Sequence, residues 1–136
     1  MFESDARYFI ITGGRGSGKS FAVTVFLTLL TMVKGIRVLF TRYTMVSAHL
    51  SIIPEFLQKI GLLGYNDDMF FVNKAEVINT KSKSDILFRG IKTSAGNQTA
   101  NLKSLQGISC WVLDEAEEII DENIFDTIDL SIREKD

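Results

Sequence analysis

The 136-residue sequence holds one cysteine, one histidine, one proline and one tryptophan, and these scarcities exclude several classes of protein at once. The single thiol, Cys110, rules out an internal disulfide and suits a reducing cytosol. His49 and Cys110 cannot supply the four ligands of a structural zinc site. No apolar run is long enough to span a bilayer. The longest, residues 21–33, is broken by Thr24, Thr28 and Thr31 and falls short of the roughly 20 residues a membrane helix needs. The N-terminus, Met1-Phe2-Glu3-Ser4-Asp5, is acidic and has no apolar core, so no signal peptide is expected. Repeats, low-complexity tracts and linkers are missing as well. The remainder has the balance of a water-soluble globular domain, 46% hydrophobic and 24% charged. The length suffices for one core and not for two.

Net charge is only −2, but it is unevenly spread. Residues 114–136 carry ten acids against Arg133 and Lys135, a net of −8; residues 1–113 carry thirteen Lys and Arg against seven acids, a net of +6. Such asymmetry marks a nucleic-acid surface or, equally, a basic sheet edge beside an acidic helix.

The most informative residues are Gly13-Gly14-Arg15-Gly16-Ser17-Gly18-Lys19-Ser20. They fit G-x-x-x-x-G-K-[ST], the phosphate-binding loop. Glycines let the backbone turn its N–H groups inward around an anion, and a helix starting near Ser20 adds its N-terminal dipole. Lys19 is expected against the β- and γ-phosphates of ATP, and the Ser20 hydroxyl on Mg²⁺. The plainer alternative is a glycine-rich turn between a strand and a helix. Arg15 reads either as an arginine finger supplied in cis or as a solvent-facing or ground-state phosphate contact.

Around this loop the apolar pattern predicts a short strand at Tyr8-Phe9-Ile10-Ile11, a helix over 21–33 capped by Gly35, and a strand at Arg37-Val38-Leu39-Phe40-Thr41. That order is a βαβ unit with a parallel pair, so the fold class is α/β. Leu50, Ile53, Phe56, Leu57 and Ile60 recur at helical spacing. They predict a second helix from Ser47 or, with Pro54 in its first turn, from Ser51, ending at Gly61. Phe70-Phe71-Val72 and Val77-Ile78-Asn79 read as a hairpin, Ile86-Leu87-Phe88 as a further strand, and residues 90–101 as a mobile polar loop. Ile124, Phe125, Ile128 and Ile132 mark a last helix with Asp121 as its N-cap.

Cys110-Trp111-Val112-Leu113-Asp114-Glu115 is an apolar strand ending in two acids, the pattern of a Walker B motif. Asp114 is expected in the Mg²⁺ coordination sphere opposite Ser20, and Glu115 orients or deprotonates the attacking water. A water-activating carboxylate favours hydrolysis over phosphotransfer. Arg42, just past a strand end, reads as a ligand contact or as a structural ion pair. Glu117 and Glu118 read as favouring a helix N-terminus. His49 and Cys110 read as structural.

The segments at 13–20, Leu-Phe-Thr-Arg at 39–42, Ile-Leu-Phe-Arg-Gly at 86–90, Leu-Lys-Ser at 102–104 and Trp-Val-Leu-Asp-Glu-Ala-Glu-Glu at 111–118 together resemble the ATPase domain of phage terminase large subunits. The resemblance runs over essentially the whole chain. It implies a P-loop NTPase fold of the additional-strand class, with a mostly parallel sheet flanked by helices and a small hairpin insertion. It also implies an ATP-hydrolysing motor that drives double-stranded DNA into a capsid in the host cytoplasm, as a ring on the portal protein with a small terminase subunit as a further partner. Lys19, Ser20, Asp114 and Glu115 are then the working site and Arg15 a trigger. On this reading residues 1–136 are a partial ATPase domain, without the family's coupling motif and nuclease domain. A basic stretch, Lys81, Lys83, Arg89, Lys92 and Lys103 against Asp85, is a candidate DNA contact. Two alternatives stand beside it: a helicase-like translocase, and a nucleotide-binding fragment with no turnover of its own.

Overall fold

A computed structural model describes residues 8–13, 18–43, 52–64, 69–73, 75–93, 96–97, 105–115 and 122–133. Helix α1 (Lys19–Thr31) leads through a tight turn into strand β1 (Arg37–Arg42). Gly35, at φ 74°, supplies the left-handed residue that this turn requires. Helix α2 (Ile52–Leu62) follows, then strands β2 (Phe70–Val72), β3 (Glu76–Asn79) and β4 (Asp85–Gly90). A two-residue pair, β5 (Lys92–Thr93) and β6 (Gly96–Asn97), precedes β7 (Cys110–Asp114) and helix α3 (Glu122–Arg133).

The main sheet runs β2-β3-β4-β1-β7 and is mixed. β1 pairs parallel with β4 and β7, whereas β2–β3 and β3–β4 are antiparallel. The α/β class therefore stands, with parallel pairing confined to three strands. Side chains alternate across these strands as the pleat demands. Val38, Phe40, Ile86, Phe88 and Val112 face one side with Leu27 of α1 and Ile53, Phe56 and Ile60 of α2. Leu39, Leu87, Trp111 and Leu113 face the other, where Ile128 of α3 and the buried Ile91 and Ile108 join them. Phe88 is central to the first layer, its ring 5.3 Å from Phe40 and 6.1 Å from Phe56.

The buried face of α1 is unusual in carrying threonines. Thr24, Thr28 and Thr31 are all buried, and each hydroxyl donates to a carbonyl one turn back, at Ser20, Thr24 and Thr28. The helix then closes on the β3–β4 turn, where Ser82 and Ser84 donate to the carbonyls of Thr31 and Val33. Those hydroxyls satisfy orphan carbonyls at the helix end.

Several expectations are corrected. Tyr8-Phe9-Ile10-Ile11 is not a strand; it is irregular and exposed, Ile10 by 90%. Both edges of β1 are taken, by β4 and β7, so this segment cannot pair with β1. The expected pairing of this segment across α1 is thereby excluded. Helix α2 ends at Leu62, one residue beyond Gly61, and the left-handed break falls at Gly64, φ 84°. The stretch read as a loop at 90–101 contains the β5–β6 pair. β7 is half-buried throughout, because among the described residues it has a strand neighbour on one side only. The proposed starts at Ser47 and Ser51, the Asp121 cap, and His49, Glu117 and Glu118 lie outside the described residues.

Candidate functional site

The topology brings three chain segments to one end of the sheet. β1 and β7 are parallel and in register, so Arg42 and Asp114, their last residues, are direct neighbours. Helix α1 returns antiparallel to β1. Its 13 residues rise about 20 Å, as do the six residues of β1, so Lys19 and Ser20 at the helix start come level with Arg42. In open α/β sheets ligands gather at this carboxyl end of the strands.

At the start of α1, Gly18 takes φ 79° and its carbonyl accepts the first helical hydrogen bond, from Ala22 at 2.9 Å. No side chain caps the helix, and its first turn has no acid. The helix dipole and the leading N–H groups thus meet no carboxylate of their own helix, which leaves an anion favoured there. Lys19 folds back, its Nζ donating to the Gly13 carbonyl at 3.0 Å. Gly14, Arg15, Gly16 and Ser17 lie outside the described residues.

The end of β7 is electrostatically locked. Arg42 Nε and Nη2 both contact Asp114 Oδ2, at 3.1 and 2.5 Å, and Nε lies 3.5 Å from Glu115 Oε2. Burial pulls the Arg42 pKa down. The hydrogen bond and charge of Asp114, then the charges of Glu115 and Glu55, outweigh it, so the guanidinium is held above its ordinary value. Of the two readings of Arg42 from the sequence, the ion pair is what the structure contains. Glu115 sits at φ 52°, a left-handed conformation that costs a side-chain-bearing residue about 1 kcal/mol or more. Such outliers cluster at functional sites, and this one turns the second acid toward Arg42.

Helix α2, which sequence reasoning did not place at the site, contacts the start of α1. Lys59 Nζ donates to Ser20 Oγ at 2.8 Å, while Glu55, one turn earlier, acts on Arg42. The i, i+4 spacing of Glu55 and Lys59 was available as a signal, but their partners, Ser20 and Arg42, lie outside the helix. Helix α2 thus contacts Ser20 directly through Lys59 and adds the charge of Glu55 to the field at Arg42.

Among the described residues no three His, Cys, Asp or Glu side chains converge as a metal site. The donors present, a hydroxyl and a carboxylate, are hard oxygens that suit Mg²⁺, an ion that takes one or two protein ligands and completes its octahedron with phosphates and water. The set fits Mg²⁺ held together with a nucleotide, and not Mg²⁺ held alone.

Of the proposed basic stretch, Lys81, Lys83 and Arg89 have described side chains. Lys81 shares a shallow cavity of about 310 Å³ with Lys34, Met32, Met69, Asn79 and Ser82 at the end of α1 opposite its start. Arg89 is turned onto backbone carbonyls of Ala75 and Phe88. Lys103 lies outside the described residues. No described helix is long and apolar enough to cross a membrane.

A search among curated proteins returned no match. The profile of the phage terminase large subunit matches residues 5–136, nearly the whole chain. The motifs read from the sequence and this match agree, and the chain belongs to the phage terminase large subunit family.

Proposed function

We propose that this chain is the Mg·ATP-hydrolysing core of a viral DNA-packaging motor. The observation that carries the proposal is the placement of Lys19 and Ser20, at an acid-free helix start, at the same sheet end as Asp114 and Glu115. Family membership supports the role in DNA packaging and weighs against a helicase-type translocase.

In this mechanism the loop Gly13, Gly14, Arg15, Gly16, Ser17 and Gly18 cradles the phosphates. Lys19 leaves the Gly13 carbonyl to neutralise β- and γ-phosphate charge. Ser20 and Asp114 are the oxygen ligands that would hold Mg²⁺, which would supply positive charge against the phosphates. Glu115, exposed and one residue past Asp114, accepts the proton of the attacking water. Arg42 holds Asp114 and Glu115 in position through its ion pairs, and Arg15 is the candidate trigger. Translocation of double-stranded DNA, a ring on the portal protein and the small terminase subunit as partner follow from the family role.

A second reading, nucleotide binding without turnover by this chain alone, is favoured by one feature. The segment leading into the loop, Tyr8 to Ile11, lies outside the sheet and so lacks the support a strand would give. The deciding experiment is Mg²⁺-dependent ATP hydrolysis with and without duplex DNA, alongside Lys19→Ala and Glu115→Gln. Turnover lost in both variants supports hydrolysis. Nucleotide binding without turnover supports the second reading, and turnover that survives both substitutions contradicts the site.

A further inference from the structure

The contact between Lys59 and Ser20 is hard to reconcile with a static role. Lys59 Nζ lies 2.8 Å from the hydroxyl to which the proposed function assigns Mg²⁺. A magnesium–oxygen bond is about 2.1 Å, so ammonium and metal on one oxygen would stand only about 3–4 Å apart with three positive charges between them. Mg²⁺ binding therefore expels the ammonium. An ammonium needs an acceptor, and Ser20 opens α1, where phosphate oxygens would be the closest strong ones.

Three further observations point the same way. Lys19 is likewise parked on a neutral oxygen, the Gly13 carbonyl. The start of α1 carries no acid that could take Lys59 instead. Glu55, the acid one turn away on α2, adds its negative charge to those acting on Arg42. A rigid route connects Lys59 to the core, because Ile60 beside it is fully buried and Phe56 packs on Phe88.

We infer that Lys59 is a second phosphate-binding cation of this site, held by the Ser20 hydroxyl while no nucleotide is bound and transferred to a phosphate oxygen when one is. The ligand class is a nucleoside polyphosphate, and α2 thereby senses occupancy directly. This inference rests on the nucleotide reading of the Ser20 site.

The test is binding of a fluorescent ATP analogue in EDTA, where Mg²⁺ cannot mask the lysine, by the wild-type chain, Lys59→Met, Ser20→Ala, the double variant and Lys19→Ala. Lys59→Met is expected to weaken binding about tenfold, and by at least that factor on the Ser20→Ala background, where no hydroxyl competes with phosphate for the lysine. Lys59→Arg should restore most of the loss. A Lys59→Met variant that binds as tightly as wild type, or one whose effect vanishes once Ser20 is alanine, overturns the inference and makes Lys59 a tether between helices. If in either case Lys19→Ala still abolishes binding, the nucleotide reading survives. If the wild-type chain binds no nucleotide, or Lys19→Ala binds as it does, both fall together.

Discussion

Single residues carry most of the chemistry, and Glu115 allows a clean separation of conformation from charge. Glycine and alanine at 115 both remove the carboxylate, but only glycine is at ease at φ 52°. Glu115→Gly should therefore be about 1 kcal/mol more stable than Glu115→Ala in denaturant unfolding, the reverse of the usual order of these residues. Equal stabilities would mean that position 115 carries no left-handed strain. Cys110 gives a pH prediction. Burial raises its pKa, so the folded state disfavours the thiolate. A raised folded value means that its contribution is complete below the unfolded thiol value of about 8.5 and is lost as pH rises past it. Unfolding free energy measured between pH 7 and 10 should fall more steeply for the wild-type chain than for Cys110→Val; parallel curves would refute it. The acids at the end of β7 were legible because adjacent carboxylates closing an apolar strand form a chemically specific pattern. Lys59 was not, because a lysine on an amphipathic helix looks the same in sequence whether it faces water or a hydroxyl 39 positions away.

At the scale of elements, the parallel core is organised by the packing of α1 and α2 on β1 and β4. Phe88 connects these pieces, touching Phe40 on β1 and Phe56 on α2 from a site 2% exposed. Phe88→Ala should cost about 3–5 kcal/mol in chemical unfolding. A loss below 1 kcal/mol would mean the layer collapses around the gap. On the other face Trp111 donates to Thr41 Oγ1, which donates to the Val112 carbonyl, and its ring lies 5.2 Å from Phe125 of α3. These interactions fix the strand that ends in Asp114. Helix α1, α2, β1, β4 and β7 could be read from apolar spacing and turn residues, because local sequence sets both. The segment from Tyr8 to Ile11 could not. Its apolar, β-branched composition satisfies the local rule for a strand, but pairing is decided by distant segments, and the β1 edges that the βαβ reading needed are occupied by β4 and β7.

For the whole molecule, the family role points to DNA, while the described part of the basic stretch is divided between the β3–β4 turn and Arg89. Lys34 and Lys81 meet around one shallow cavity, with Lys83 two residues on in the same turn. If that end touches duplex DNA, neutralising Lys34, Lys81 and Lys83 should flatten the plot of log affinity against log salt by about 2–3, near 0.9 for each phosphate that no longer meets a lysine. An unchanged slope would move the DNA surface elsewhere. The central claim is narrower: the start of α1 and the end of β7 form one metal–nucleotide site. The most direct measurement replaces Mg²⁺ with Mn²⁺ and follows, by electron spin resonance, its binding and its hyperfine coupling to nucleotide phosphorus. A shared site predicts phosphorus coupling in the wild-type chain, and Mn²⁺·nucleotide affinity at least about tenfold weaker in both Ser20→Ala and Asp114→Asn. Undiminished affinity in either variant would contradict it.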